Sequence, residues 1–221
     1  MKSVTKPGRY TGNEYNSIVK NLEYVNCRFA FCFPDTYEIG MSNLGVRILY
    51  DCLNREEDIW CERVYNPWVD MQEKMREHDL PLWAHESKDS VNDFDFLGFT
   101  LQYEMSYTNV LNMLELAKMP LYAKDRDEEF PLVIGGGPCA YNPEPVADFF
   151  DLFNIGEGES LLVEIVRLYI KMKDEGRYTK AGFLHEAART IKGVYVPSLY
   201  TVEMSIQTSW ERQLSSETRN S

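Results

Sequence analysis

Apolar residues in this chain fall into short runs, separated by stretches with helical spacing. "CRFAFCF" (Cys27–Phe33) is rich in strand-favouring residues and has polar flanks, which predicts a buried strand. "GMSNLGVRILYDCLN" (Gly40–Asn54) follows as a helix with Leu44, Ile48 and Leu49 at helical spacing. "WCERVYN" (Trp60–Asn66) predicts a second strand, and "PWVDMQEKMREHD" (Pro67–Asp79) a helix with proline in its first turn. "FDFLGFTLQ" (Phe94–Gln102) reads as a third strand. The helix after it, "SYTNVLNMLELAKM" (Ser106–Met119), gathers Val110, Leu111, Leu114 and Ala117 on one face.

"PLVIGGG" (Pro131–Gly137) and "DLFNIGEGE" (Asp151–Glu159) are two further strand endings, and a long helix leads from the second to Gly176. A helix over Lys180–Ile191 and an extended segment from Gly193 complete the pattern. Five strands alternating with helices predict an α/β domain with a mainly parallel, doubly wound sheet, flavodoxin-like or Rossmann-like. Residues 1–26 read as a polar arm, 27–200 as the domain, and 201–221 as a polar tail expected to be disordered.

In such a sheet, ligands bind beyond the carboxyl ends of the strands. The loops of interest are therefore Pro34–Gly40, Gln102–Thr108, Gly135–Pro138 and Gly156–Glu159. Three glycines after a β-branched strand allow a ligand close to the backbone, or simply make a tight turn. No Gly-Lys-Ser/Thr follows them and the spacing is not G-x-G-x-x-G, so a nucleotide fingerprint is poorly supported. Glu157 and Glu159 stand where they would repel a phosphate, while suiting a helix start. Ser106 is placed to cap its helix.

Charge narrows the range of partners. A net charge of −12 over 221 residues argues against a nucleic-acid-binding surface, so no nucleic-acid contact is expected from this domain. No run approaches a membrane span and the amino-terminal residues do not form a secretory signal, which makes the cytoplasm the expected location. The five cysteines form no C-x-x-C pair, and Cys27 and Cys32 should point to opposite faces of one strand. The three histidines, His78, His85 and His185, are scattered, so zinc is not expected.

The order of the loops resembles a known arrangement. "FPDTYEIGMSNLG", "LGFTLQYEMSYTNVLNML" and "PLVIGGGPCAYNPEPVADFFDLFNIGEGE", after an opening "RYTGNEYN", are similar to the amino-terminal region of B12-binding-type radical S-adenosylmethionine proteins. The likeness covers roughly residues 8–200. It implies a cobalamin-binding-like domain whose strand-end loops receive the corrin and its nucleotide tail. Carried over by position, the implied contacts are Asp35, Tyr37 and Gly40 in the first loop, and Gln102, Tyr103, Ser106 and Thr108 in the second. Gly135, Gly136 and Gly137 would admit the nucleotide tail, with Gly156 and Gly158 beside it.

Two departures shape what the resemblance implies. The D-x-H-x-x-G frame that supplies a cobalt-ligating histidine reads Asp35-Thr36-Tyr37-Glu38-Ile39-Gly40 here, so cobalamin would lack a lower protein ligand. The C-x-x-x-C-x-x-C triad that holds a [4Fe–4S] cluster for S-adenosylmethionine does not occur in the chain. The expectation is a module without catalytic power of its own, working with a radical core located elsewhere in an enzyme. One alternative is a cofactor-free docking domain for such a core, for which Tyr37 in the histidine position speaks. A flavin-binding flavodoxin-like protein is a weaker alternative, because Pro34-Asp35-Thr36-Tyr37 lacks a Ser/Thr-rich phosphate loop.

Overall fold

A computed structural model describes residues 4–201. The expected tail therefore lies outside the described residues from position 202 onward. Six strands form one sheet in the order β2-β1-β3-β4-β5-β6. They are β1 (Cys27–Phe33), β2 (Ile59–Tyr65), β3 (Phe96–Thr100), β4 (Leu132–Gly136), β5 (Leu152–Asn154) and β6 (Val194–Tyr195). The first five run parallel, and β6 joins β5 antiparallel. The flavodoxin-like expectation holds, with one strand more than the sequence predicts. Only two residues make β6, too few to show an alternating pattern.

The helices divide between the two faces. α2 (Leu44–Asn54), α5 (Gly158–Asp174) and α6 (Lys180–Thr190) cover one face, which carries Phe29, Phe31, Phe96 and Ile134. α3 (Val69–Glu77) and α4 (Tyr107–Leu116) cover the other, over Ala30, Cys32, Leu97 and Phe99. Cys27 and Cys32 fall on opposite faces as expected, and burial pushes both thiols up.

Three local expectations need correction. The helix expected over Gly40–Asn54 is two helices, α1 (Tyr37–Ser42) and α2, separated by Asn43. The Asn43 side chain accepts the Val46 amide and starts α2. Within α2 the buried positions are Val46, Tyr50, Leu53 and Asn54, whereas Leu44 is 66% and Ile48 38% exposed. The break at Asn43 rotates the apolar stripe away from the one that a single helix would present. Ser106 does not cap α4; its hydroxyl donates to the Tyr103 carbonyl at 2.7 Å.

β2 is an edge strand, yet side chains occupy its outward backbone groups. The Asn54 amide pairs with both the N–H and the C=O of Cys61. Glu86 accepts the Arg63 amide, and the His85 amide donates to the Arg63 carbonyl. Lys20 donates to the carbonyls of Asn54, Glu56 and Ile59 at 2.9, 2.5 and 2.6 Å, tying the arm to this edge.

Candidate functional site

The chain order reverses between β1 and β3, which leaves a crevice above the carboxyl ends of the strands. A cavity of about 150 Å³ opens there, on the sheet face covered by α2 and α5. Its existence follows from residue size. On this face Gly98 of β3 pairs with Ile134, and Gly136 of β4, two residues beyond Ile134, pairs with Thr100, so two diagonally adjacent positions lack side chains. The Phe29 ring fills the space over Gly98, since a Cβ there would clash with it. Over Gly136 the space stays open, and a Cβ there would meet nothing nearer than Asn154 at 3.9 Å.

Gln102, Gly136, Gly137, Gly156 and Gly158 all line this cavity, together with Thr100 and Asn154. The Gln102 amide donates to Thr100 Oγ1 at 2.6 Å. Gly137 has φ 94° and ψ −175°, a region essentially reserved for glycine. Its turn brings the Leu101 amide to the Gly136 carbonyl at 2.7 Å, joining the ends of β3 and β4.

Asn154 was not singled out by the sequence, although its position as the one polar residue closing an apolar strand end was a signal. It is 4% exposed, and its Oδ1 is buried without a hydrogen-bond partner. Among the residues lining the cavity the only charged one is Glu159, and none is basic.

Other expected contacts lie elsewhere. Gly135 faces the opposite side of the sheet, where a Cβ would sit 2.6 Å from the Phe153 ring. It is a packing glycine. Asp35, after β1, and Tyr103, after β3, meet each other outside the cavity lining, the Tyr103 hydroxyl donating to Asp35 Oδ2 at 2.8 Å. Thr108 is exposed on the first turn of α4. Gly40 is buried under the Tyr65 ring, where any side chain would clash.

Tyr37 belongs to a second cluster, at the end of β2. Its hydroxyl donates to Glu14 Oε1 at 2.9 Å, and burial with that contact pushes its pKa up to about 12. His85 Nε2 lies 2.7 Å from the same carboxylate oxygen, and Arg63 Nη2 reaches the other oxygen at 3.1 Å. Glu86 pairs with Arg63 Nε at 2.6 Å. Burial lowers the His85 pKa despite the attraction of Glu14. Burial alone would raise the Glu14 carboxyl, but its own backbone amide, His85, Tyr37 and Arg63 together hold it low. Sequence reasoning missed this cluster because Glu14, Arg63 and His85 come from three distant segments.

Among the described residues, no group of three or more His, Cys, Asp or Glu is placed to hold a metal ion. No helix among them is long and apolar enough to cross a membrane.

A curated relative, an uncharacterized protein of Methanocaldococcus jannaschii, is 27% identical over 154 residues. The match takes in 68% of this chain but only 28% of that protein, so this chain spans well under two thirds of its relative's length. No solved structure matches. The family model described as "Radical SAM proteins, N-terminal" matches residues 45–197, which takes in everything from α2 to β6. With strands β2 to β6 and most of the crevice lining inside that span, this chain belongs to the family of radical SAM protein N-terminal domains.

Proposed function

We propose that this domain is the corrinoid-receiving module of a radical S-adenosylmethionine protein, serving a catalytic core outside these 221 residues. The observation that carries the reading is the crevice at the switch point. It is floored by Gly136, flanked by Gly137 and Gly158, and bordered by the polar side chains of Thr100, Gln102 and Asn154. Apolar walls with few convergent polar groups suit a flat ring system such as the nucleotide tail of a corrinoid. Gln102, Gly136, Asn154 and Gly158 would hold that tail, and Asp35 and Tyr103, paired at the ends of β1 and β3, would meet the corrin.

The residues fit the tail better than the metal. Tyr37 stands where a cobalt-ligating histidine would be, but its hydroxyl is committed to Glu14 and its raised pKa keeps it a neutral phenol. Gln102, Gly136, Asn154 and Gly158 would therefore hold the cofactor by its tail, and Tyr37 would not serve as a ligand. When bound, a corrinoid supplies a cobalt centre for methyl transfer or radical chemistry.

Titration with hydroxocobalamin and with tail-less cobinamide, read by the visible spectrum and by retention on a desalting column, tests the reading. Retention of hydroxocobalamin that exceeds that of cobinamide, and that falls in Gly136→Val, is the expected result. Equal failure of both to be retained overturns it.

A second reading, a cofactor-free docking domain, draws on a different observation. Ile39, Leu44 and Ile48 are 49%, 66% and 38% exposed on α1 and α2, more apolar surface than two short helices usually show to water. In that reading the core covers these residues and the crevice stays empty.

A further inference from the structure

Two strong hydrogen-bond donors beside the end of β2 close on a weak acceptor. Arg63 Nη1 donates to Met41 Sδ at 3.0 Å, and the Tyr65 hydroxyl donates to the same sulfur at 2.9 Å. Among the described residues that sulfur is the one acceptor for either group. A thioether accepts weakly, and these are separations at which such donors normally hold an oxygen. Arg63 and Tyr65 are 7% and 8% exposed, and both line a groove of about 600 Å³ between the arm and α2. Met41 lines it too, on a flexible side chain whose displacement uncovers both donors to the groove.

The surroundings select the kind of oxygen. Arg63 already gives Nε to Glu86 and Nη2 to Glu14, so two carboxylates offset its single charge. A further anion is repelled there. A neutral carbonyl is not, and its two lone pairs match the two donors. Beyond the donors the groove follows α2 for about two turns, from Leu44 to Asp51. Ile18, Leu44 and Ile48 give it apolar sides, and Arg47 and Asp51 bring one charge of each sign.

A groove open along its length suits a segment of polypeptide, whereas small molecules favour pockets that enclose them on most sides. The family is one of amino-terminal domains, and the match takes in only 28% of the curated relative, so such proteins carry further chain to supply the segment. We infer that the groove docks an apolar peptide segment of the radical core, whose backbone carbonyl displaces Met41 Sδ and accepts from Arg63 Nη1 and Tyr65 Oη. The inference rests on the reading of this domain as serving a core outside these residues, and it is independent of what the crevice binds.

The experiment uses the full chain, isotope-labelled at its methionine methyl groups and read by NMR, with Met41→Leu identifying the Met41 signal. Two blocked peptides, N-acetyl-Leu methylamide and N-acetyl-Leu-Ala-Leu methylamide, are titrated in beside N-acetylleucine, which carries a free carboxylate. The expected result is a saturable shift of the Met41 methyl signal, with the shorter peptide binding at about 1 mM and the longer one roughly ten-fold tighter. N-acetylleucine should bind more weakly than its methylamide. Tyr65→Phe, which keeps the ring and removes one donor, should weaken both peptides by roughly five-fold, with circular dichroism and a thermal melt establishing that it is folded. No shift at Met41, equal binding of acid and methylamide, no gain from the longer peptide, or unchanged affinity in Tyr65→Phe overturns the inference. A concentration-dependent dimer in sedimentation, with the Met41 signal shifting in the absence of peptide, makes the occupant a second copy and also overturns it. Hydroxocobalamin titrated into the same sample separates the readings. Its retention without a peptide response leaves the corrinoid module standing, and failure of both overturns both.

Discussion

Glu14 Oε1 and His85 Nε2 lie 2.7 Å apart although 71 residues separate them in the chain. The contact anchors the amino-terminal arm to the segment between α3 and β3. Tyr37, Tyr65, Arg63, Glu86 and Lys88 surround the pair.

This pair makes stability depend on pH in one direction. The His85 pKa is lowered by burial from its ordinary value of 6.5, so the unfolded chain binds that proton more readily than the folded one. Stability is thus full above pH 6.5 and declines as pH falls toward the lowered folded value. Glu14, depressed below its ordinary 4.5, adds its own loss at lower pH, as acid reaches its folded value. Thermal melts between pH 7.5 and 5 should show a falling midpoint that flattens in His85→Gln. An equal slope in both proteins would show that other groups control the effect.

Gly136 and Gly137 are neighbours with opposite tolerances. At Gly136 a side chain enters open cavity, so Gly136→Val should fold normally and lose ligand binding. At Gly137 the backbone conformation, with φ 94°, excludes side chains, and a Cβ would press on Leu101 backbone atoms at 3.1 Å. Gly137→Ala should cost about 1–3 kcal/mol. Urea denaturation of the two variants separates them.

Gly98→Ala should also destabilise the fold, by about 1–3 kcal/mol, because its methyl group would collide with the Phe29 ring in a packed core. Replacing Phe29 by Leu in the same chain should recover part of the loss. Additive losses in the double variant would mean that the two residues do not share the space.

Asp151 is a buried charge with a buried counter-ion. Arg126 and Lys180 approach its oxygens at 3.2 and 2.9 Å, and the Val133 amide donates to it at 2.8 Å. Asp151→Ala leaves the Arg126 guanidinium buried without its counter-ion and should cost about 3–5 kcal/mol. Equilibrium unfolding measures it, and a loss below 1 kcal/mol would mean that the carbonyls of Pro120, Leu121 and Phe149 satisfy Arg126 alone.

The parallel sheet was legible because its strands are buried on both faces and read as apolar runs, with helical spacing between them. Side-chain direction at the strand ends was less legible. "GGG" reads as one motif, yet alternation sends Gly135 to Phe153 and Gly136 to the crevice, and only strand register separates them. Leu44 and Ile48 were read at helical spacing in one helix starting at Gly40, but Asn43 resets the phase and leaves both exposed. The Glu14–His85 cluster depends on three segments meeting in space, and no local pattern encodes such a meeting.

Parallel sheets usually leave an outer strand whose free backbone groups can template another chain. Here the outward groups of β2 are already taken by Asn54, Glu86, His85 and Lys20. A second copy of the domain therefore finds no ladder to extend along that side, and concentration alone should not drive it into fibres there. Trimming the arm to begin at Cys27 would remove Lys20 and expose the carbonyls that it covers. The practical amino-terminal limit of a well-behaved fragment thus lies upstream of Glu14, well before the first strand.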